Sequence, residues 1–465
     1  MLKFYNTLSR KKQIFRPKVN KKVNIFVCGP TVYDFSHLGH ARTYLCYDML
    51  VRYLKFLGYK VFYLQNITDI DDKIIQRAKE KKKSWREIAR FFEKEYLKDM
   101  RGLKIESVTK YARATEHIKE IQSQVKRLLK KGYAYQIEDG VYYDIKKFKD
   151  YGKLSGRTIE QAEDATSRID QSKNKRNKGD FCLWKLSKPG EPKWASPWGE
   201  GRPGWHIEDT AIAEKYFGFQ YDIHGGAREL IFPHHEAEIA QMEGISGKKP
   251  MVKYWVHTGI LKIKGKKMAK SLGNFITIRD FLKKYSPEVL RFIVFSSHYR
   301  SPLDYSEKIA RESKANLKKL EEFLNRLKEI KGTSVKSNKK MIKNFEKKFL
   351  QALEDDFNTP KAKGLMFDFI ARINKKIDKK QISHSDAKET YNFFKKINEI
   401  FLFLDFKKIE KKEKIPKEIK KLVELREKYR VQKNWLQADQ IRQKLQKLGY
   451  RIEDTKQGPK IKKFD

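Results

Sequence analysis

Only three cysteines, Cys28, Cys46 and Cys182, are spread over 465 residues, too few and too scattered for a disulfide framework. Cys46 falls inside a helical pattern and Cys182 in the apolar run Phe181 to Trp184, so both read as small core residues. No stretch reaches the roughly 18 apolar residues of a membrane span, and the N-terminus lacks an apolar signal segment. A soluble, cytoplasmic protein without a membrane partner is expected. Acidic residues are also scarce, with 59 Asp and Glu against 104 Lys and Arg, a formal charge of +45 and an isoelectric point near 9.8. Such a positive field suits a polyanionic partner. A proteome-wide bias toward lysine would raise the charge as well, and composition alone does not choose between the two.

What is present is enough for several cores. Hydrophobic residues make up 39% of the chain, and the length points to two to four domains. The stretch that organises the rest runs from Val23 to His40. Val23 to Val27 is a short β-branched run stopped by Gly29-Pro30, which predicts a buried strand with Cys28 at its carboxyl end. From Leu38 apolar residues recur at helical spacing until Gly58 closes the pattern. His37-Leu38-Gly39-His40 therefore sits at a helix entrance. Unpaired backbone N–H groups favour phosphate there, Gly39 lets a ligand approach closely, and two imidazoles can donate to charge on phosphate oxygens. Two histidines three apart are also ordinary surface or capping residues, and the tetrad alone does not decide.

A second signal lies far downstream. Gly265-Lys266-Lys267-Met268-Ala269-Lys270-Ser271-Leu272-Gly273-Asn274 follows the strand-like run His257 to Ile263 and precedes a helix starting near Ile278. With Cys28, the His37–His40 tetrad and Lys267 to Ser271 in this order, the chain resembles the class I aminoacyl-tRNA synthetases, and among them the cysteinyl-tRNA synthetase family. Further matching stretches are Asn66 to Lys73, Ser196 to Gly199, Gly201 to Glu208, Phe232 to Glu236 and Asp355 to Pro360, so the resemblance covers nearly the whole chain.

The resemblance implies an α/β fold, a class I Rossmann-like nucleotide-binding domain with a parallel sheet and a connective insertion. An all-α helical bundle and a small C-terminal anticodon-binding module follow. The expected boundaries are 1–112 and 200–264 for the two catalytic halves, 113–199 for the insertion, 265–308 for the lysine loop and stem-contact region, 309–408 for the bundle and 409–465 for a basic linker and the terminal module. Within this frame Val61 to Ile67 reads as a second strand. Asp69, Asp71 and Asp72 read as caps of the helix that follows. Ser84 to Lys131 reads as helical, Tyr133 to Ile145 as strand-like and Asp164 to Lys178 as a mobile loop. Trp205 and His206 are expected to precede a helix from Ile207, Gly225-Gly226 to form a turn, and a helix to start at Pro233. Asp280 to Lys308 reads as a helix followed by an irregular strip, and Ile409 to Lys421 as a linker. The last residues, Pro459 to Asp465, lack the tryptophan the family leads one to expect, which puts anticodon contacts by the tail in doubt.

Site roles follow from the same resemblance. His37, His40, Lys267 and Lys270 are the implied catalytic residues, with Gly39, His40 and Lys270 binding ATP, accompanied by Mg²⁺. Thr68, Trp205, His206 and Glu229 are implied around the L-cysteine substrate, Glu229 replacing an aspartate that the family has near the amino group. One zinc ion is implied on Cys28, Asp209, His234 and Glu238, Asp209 standing where the family has a second cysteine. Zinc accepts S, N and O ligands at roughly 2.0–2.3 Å, so the exchange is chemically admissible, although it makes the site harder. The alternative, that Asp209 merely continues a helix, stays open. Implied partners are tRNA(Cys), L-cysteine and ATP, with a monomer expected rather than an oligomer. A related ligase joining cysteine to an amino sugar would activate cysteine identically but has no need of the region from Ile309 to Asp465. A tRNA-binding paralogue without chemistry is the other alternative, motivated by Asp209 and Glu229.

Overall fold

The chain enters through a hairpin, β1 (Lys3–Asn6) paired antiparallel with β2 (Lys11–Ile14). The organising stretch follows as β3 (Lys22–Val27), the turn at Cys28 to Ser36 and helix α1 (Leu38–Phe56). β4 (Lys60–Ile67) lies parallel to β3, with Val23 opposite Val61 and Val27 opposite Gln65. Helices α2 (Asp72–Lys81) and α3 (Trp85–Gly102) follow. The computed structural model describes residues 1–161, 172, 174–268, 273–332, 337–410, 416–455 and 458–463. The expected loop at Asp164 to Lys178 thus lies largely outside the described residues, as does Lys270.

The helical reading of Ser84 to Lys131 needs correction. β5 (Lys110–Arg113) lies between α3 and helix α4 (Ile118–Lys130), parallel to β4 at the edge of the sheet. Only Ala112 of this strand is buried. An edge strand carries charge on its open side, so it shows no apolar run for a sequence pattern to find. Next comes an antiparallel sheet of β6 (Ala134–Ile137), β7 (Gly140–Tyr143), β8 (Phe181–Leu186) and β9 (Gly201–Pro203), neighbours in that order.

Helix α5 (Trp205–Phe217) begins two residues earlier than expected, so Trp205 and His206 belong to its first turn. β10 (Tyr221–Ala227) runs straight through Gly225-Gly226, where a turn was expected. A Cβ on Gly225 would sit 2.0 Å from the Tyr47 hydroxyl and one on Gly226 2.9 Å from Leu230. These glycines mark close approach inside a strand, which a turn signal resembles in sequence. Phe232 has extended dihedrals (φ −137°, ψ 133°), so the regular helix α6 (Glu236–Ser246) starts after Pro233 and His234, not at Pro233. β11 (Val252–Thr258) completes a five-stranded parallel sheet of order β11-β10-β3-β4-β5. The reversal of strand order beside β3 opens the crevice in which such sheets bind ligands.

The lysine loop leaves β12 (Leu261–Ile263) and β13 (Lys266–Lys267), which join β14 (Leu303–Tyr305) in a small sheet. Between them stand two helices, α7 (Ile278–Lys284) and α8 (Pro287–Phe295), where one helix and an irregular strip were expected. Four long helices, Glu307–Glu329, Lys339–Glu354, Thr359–Asp378 and His384–Phe401, form the bundle. Their buried residues recur at helical spacing, as Leu317, Leu320, Phe323, Leu324 and Leu327 do in the first.

Arg291 of α8 is wholly buried and donates to Asp48 of α1 at 2.5 Å, to the Phe401 carbonyl at 2.7 Å and to the Leu103 carbonyl at 2.9 Å. One side chain thus ties α1, the end of α3, α8 and the bundle together. Burial alone would raise the Asp48 carboxyl, but Arg291 and then Arg52 hold it below the usual carboxylate range. A depressed folded-state pKa contributes stability above the unfolded value, about 3.9, and that contribution is lost as pH falls through the folded value. Asp48→Ala leaves a buried guanidinium unpaired and is expected to lower unfolding free energy by about 3–5 kcal/mol. Denaturant titration reads this directly; a loss under about 1 kcal/mol would mean that the pair is dispensable.

The chain divides into two units, residues 1–405 and 406–465. The second unit contains helices Phe406–Glu410, Lys417–Val431 and Trp435–Lys447 and an antiparallel pair, Tyr450–Thr455 with Gly458–Lys463. The expected linker from Ile409 to Lys421 is thus helical at both ends, with 411–415 outside the described residues. Ile419, Val423, Ile441, Leu445 and Ile452 form the unit's own small core. Arg426 clamps Asp454 through two hydrogen bonds of 2.8 and 2.9 Å.

Candidate active site and metal-ligand cluster

The site lies where β3, β4, β10 and β11 present their carboxyl ends. Cys28 follows β3 directly and its N–H donates to the Gly225 carbonyl at 3.0 Å. Gly29 passes so close to β4 that an added Cβ would lie 1.7 Å from the Asn66 carbonyl oxygen. Its N–H donates to Asn66 Oδ1 at 2.5 Å, and Val32 N–H donates to the Thr68 carbonyl at 3.1 Å, which fixes the turn before His37.

His37 is the N-cap of α1. Its Nδ1 accepts from the Gly39 N–H at 3.0 Å, and His40 Nδ1 lies 3.4 Å from the His37 N–H, so the two rings close a capping box. The rings stack with centroids 4.0 Å apart. With each Nδ1 engaged as an acceptor, a neutral ring carries its proton on Nε2. Burial and then His37 hold His40 well below its ordinary pKa, so it is neutral at pH 7.

The lysine segment reaches the same place. Leu38 N–H donates to the Ile276 carbonyl at 3.1 Å and Ile278 N–H to the Ser36 carbonyl at 3.0 Å. Met268 Cε would stand 3.6 Å from a Cβ on Gly39. Lys267 precedes it and forms an ion pair with Glu229, which lies on the turn after β10.

A buried cluster lies at the carboxyl end of β3. Cys28 Sγ, Asp209, His234 and Glu238 each offer a ligand atom, and all four lie within 4.8 Å of one another. His234 Nε2 is 3.0 Å from Asp209 Oδ2 and 3.0 Å from Glu238 Oε1. Burial pushes the Cys28 thiol well up, and Glu238 and Asp209 push it further. Burial likewise raises Glu238, though His234 offsets part of the rise, leaving it at about 7. Burial would lower His234, but Glu238 and Asp209 lift it to about 9.

Buried polar atoms are normally hydrogen-bonded. Here Asp209 Oδ1 is buried with no hydrogen-bond partner. Three donors that become anionic on binding a metal and one imidazole, dry and mutually close, with an orphaned oxygen on Asp209, fit a divalent cation that accepts S, N and O ligands.

A second donor set shares two members with the first, namely Cys28, His224, His235 and Glu238. His235 Nε2 is 3.1 Å from Cys28 Sγ, and its Nδ1 meets His257 Nε2 at 2.8 Å. His224 Nε2 stands 3.1 Å from Glu238 Oε2 and its Nδ1 2.5 Å from the Tyr221 hydroxyl. Burial holds His206, His224 and His235 well below their ordinary pKa and His257 at about 3. Neutral imidazoles in contact with the Cys28 sulfur and the Glu238 carboxyl can orient these groups toward a metal.

The catalytic-domain model for tRNA synthetases class I (C) matches residues 14–315, and the DALR domain model matches residues 348–405. The first of these spans more than half of the chain. A cysteine–tRNA ligase of Thermococcus gammatolerans is 47% identical over 98% of both chains. One of Methanococcus maripaludis is 46% identical over the full length of both. This chain belongs to the cysteine–tRNA ligase family of class I aminoacyl-tRNA synthetases. The solved methionyl-tRNA synthetase of Mycobacterium tuberculosis, in complex with methionyl-adenylate, aligns with 82% of this chain and 90% of its own. Its TM-score is 0.61 at 13% identity, a likeness of fold. Among the described residues no helix is long and apolar enough to cross a membrane.

Of the residues singled out in sequence, this family member brings Cys28, Asp209, His234 and Glu238 into one cluster. Trp205 stacks on His234 with centroids 4.3 Å apart, and His206 Nδ1 lies 2.8 Å from His234 Nδ1. Thr68 donates to Glu208 Oε1 at 2.8 Å, which links β4 to α5 beside Asp209. Glu229 is not inside the cluster but half exposed and paired with Lys267. Of the aspartates after Thr68, Asp71 caps α2 through Lys73 N–H, as expected. Asp69 instead accepts from Thr115, and Asp72 pairs with Arg202 and Lys185. Sequence reasoning missed Glu208, His224, His235 and His257. The adjacent pair His234-His235 and a histidine inside an apolar strand, His224, were the available signals.

Proposed function

We propose that this chain activates L-cysteine with ATP and Mg²⁺, forming cysteinyl-adenylate, and transfers the cysteinyl group to the 3′ end of tRNA(Cys). The observation that carries this reading is the buried Cys28–Asp209–His234–Glu238 cluster at the carboxyl end of β3, the strand that leads into the helix entrance carrying His37, Gly39 and His40. The substrate carboxylate attacks the α-phosphorus and pyrophosphate leaves. His37 and His40, protonated on Nε2, donate to the phosphate oxygens on which charge builds. Lys267 and Lys270 add positive charge to the departing pyrophosphate, Lys270 lying outside the described residues. Thr68, Trp205, His206 and Glu229 surround the amino acid.

Cys28, Asp209, His234 and Glu238 would hold Zn²⁺, which when bound supplies a bond to the substrate thiolate that the serine hydroxyl cannot match. Shape alone separates such similar side chains by only about 1–3 kcal/mol. His224, 3.1 Å from Glu238, and His235, 3.1 Å from Cys28, would keep these ligands facing the ion. The set with Asp209 and His234 is preferred to the one with His224 and His235 because it brings three ligands that are anionic when coordinating rather than two. Charging of purified tRNA with labelled cysteine and with serine, alongside metal analysis, tests the reading. Cysteine-specific charging with one equivalent of zinc is expected. A protein that binds tRNA but gives no cysteine-dependent ATP–pyrophosphate exchange would be a binder without chemistry.

The expected division of labour among domains makes residues 409–465, with their basic linker, a tRNA-contacting module. The second unit has its own core and contains none of the proposed site residues. Ending the chain after Asp405 is therefore expected to leave pyrophosphate exchange near its original rate. Charging efficiency should fall at least about 10²-fold, as when one of two linked binding modules is lost. Equal loss of both activities would assign the unit a role in folding the catalytic domain.

A further inference from the structure

The ion pair between Lys267 and Glu229 joins two groups with different duties in the proposed reaction. Glu229 stands on the three-residue turn Arg228–Leu230 directly after β10, the strand that carries His224 into the buried cluster. Lys267 ends the short strand before Met268, whose side chain packs toward Gly39 at the nucleotide entrance. Both partners keep much of their surface in water, 67% for the lysine and 46% for the glutamate side chain. Neither is locked by burial, so each can change partners. The substrate ammonium and the Lys267 ammonium are the same kind of ligand for one carboxylate.

We infer that Glu229 is a positioning residue that exchanges Lys267 for the α-ammonium of cysteine, so that amino-acid binding releases Lys267 toward the ATP triphosphate. This rests on the reading of Glu229 as a cysteine-side residue and Lys267 as a phosphate-side one. Before cysteine arrives, the lysine charge is partly neutralised by Glu229. Once the ammonium occupies the carboxylate, the freed lysine has the triphosphate as its nearest strong anion. No bond forms or breaks and no proton moves. The coupling is limited by the strength of an exposed pair, so a two- to five-fold change in nucleotide affinity is expected. Coupling of this kind is reciprocal, and ATP should tighten cysteine by the same factor.

The test measures the affinity of α,β-methylene ATP for the zinc-loaded, full-length protein. Three conditions are compared: no addition, saturating cysteine, and 3-mercaptopropionate, which has the thiol and carboxylate of cysteine but no ammonium. Cysteine should tighten the nucleotide two- to five-fold and 3-mercaptopropionate should not. Glu229→Gln should already bind the nucleotide two- to five-fold more tightly without cysteine and gain nothing when cysteine is added. Lys267→Met should abolish both the cysteine-induced gain of the parent and the higher basal affinity of Glu229→Gln. A Glu229→Gln protein whose basal nucleotide affinity is unchanged, or a 3-mercaptopropionate effect equal to that of cysteine, overturns the exchange. Cysteine-dependent pyrophosphate exchange by the unaltered protein is run in parallel. Its absence would defeat the activation reading itself, whereas its presence with uncoupled Glu229→Gln results defeats only this inference.

Discussion

His40→Ala is expected to slow cysteine-dependent ATP–pyrophosphate exchange by about 10²–10³-fold, the usual effect of removing one preorganised donor from a developing oxyanion. The size follows from the geometry of the helix entrance. Burial keeps the His40 ring neutral, and its Nδ1 faces the His37 backbone N–H, so the proton is held on Nε2. An ordered N–H of this kind needs no reorganisation as charge builds. The same substitution removes half of the capping box, which costs about 0.5–2 kcal/mol of stability. Folding and catalysis are therefore separated by measuring unfolding alongside exchange. His40→Asn or His40→Gln, which keep an N–H donor, should recover part of the lost rate. A rate that falls less than about five-fold, or that simply tracks unfolding, would leave His40 as a cap and nothing more.

How far the site was legible in sequence depended on whether its parts lie in one segment. His37 to His40 could be read as a strand–turn–helix entrance because strand, turn and helix are contiguous and each leaves its own periodic mark. The four cluster residues lie on three separate segments, and no local pattern connects Cys28 with Asp209 or His234. Only the family resemblance brought them together. Folding then added what resemblance had not supplied. His224 and His235 meet Glu238 and Cys28 because β10 pairs in parallel with β3 and the segment before α6 returns to their carboxyl ends, a tertiary relation invisible to spacing. The glycine pair in β10 misled for a physical reason. Gly225 exists to admit the Tyr47 ring, and packing of that kind leaves the same residue types as a turn. β5 escaped notice for the opposite reason, its edge position exempting it from an apolar pattern.

Replacing Asp209 by alanine is expected to weaken zinc by at least about 10–100-fold, the range seen when a mere supporting partner of a metal ligand is lost. Its carboxylate is 1% exposed, places Oδ2 3.0 Å from His234 Nε2 and leaves Oδ1 without a hydrogen bond. A residue that only continued a helix would not have an unpaired oxygen held dry inside α5, because an unmet buried acceptor costs about 1–3 kcal/mol. The same position, facing His234 and within reach of Cys28 and Glu238, completes a set of one thiolate, one imidazole and two carboxylates. Asp209→Cys should tighten zinc relative to the parent, since a second thiolate softens the set. In Asp209→Ala, discrimination of cysteine from serine should fall toward the roughly 10–200-fold that pocket shape alone provides. Zinc per folded protein, a chelator competition and the cysteine-to-serine charging ratio read these effects separately. An alanine variant that keeps a full equivalent of zinc and discriminates as well as its parent would reduce Asp209 to a helix residue. The ion would then rest on Cys28, His234 and Glu238, or on Cys28 and Glu238 with His224 and His235.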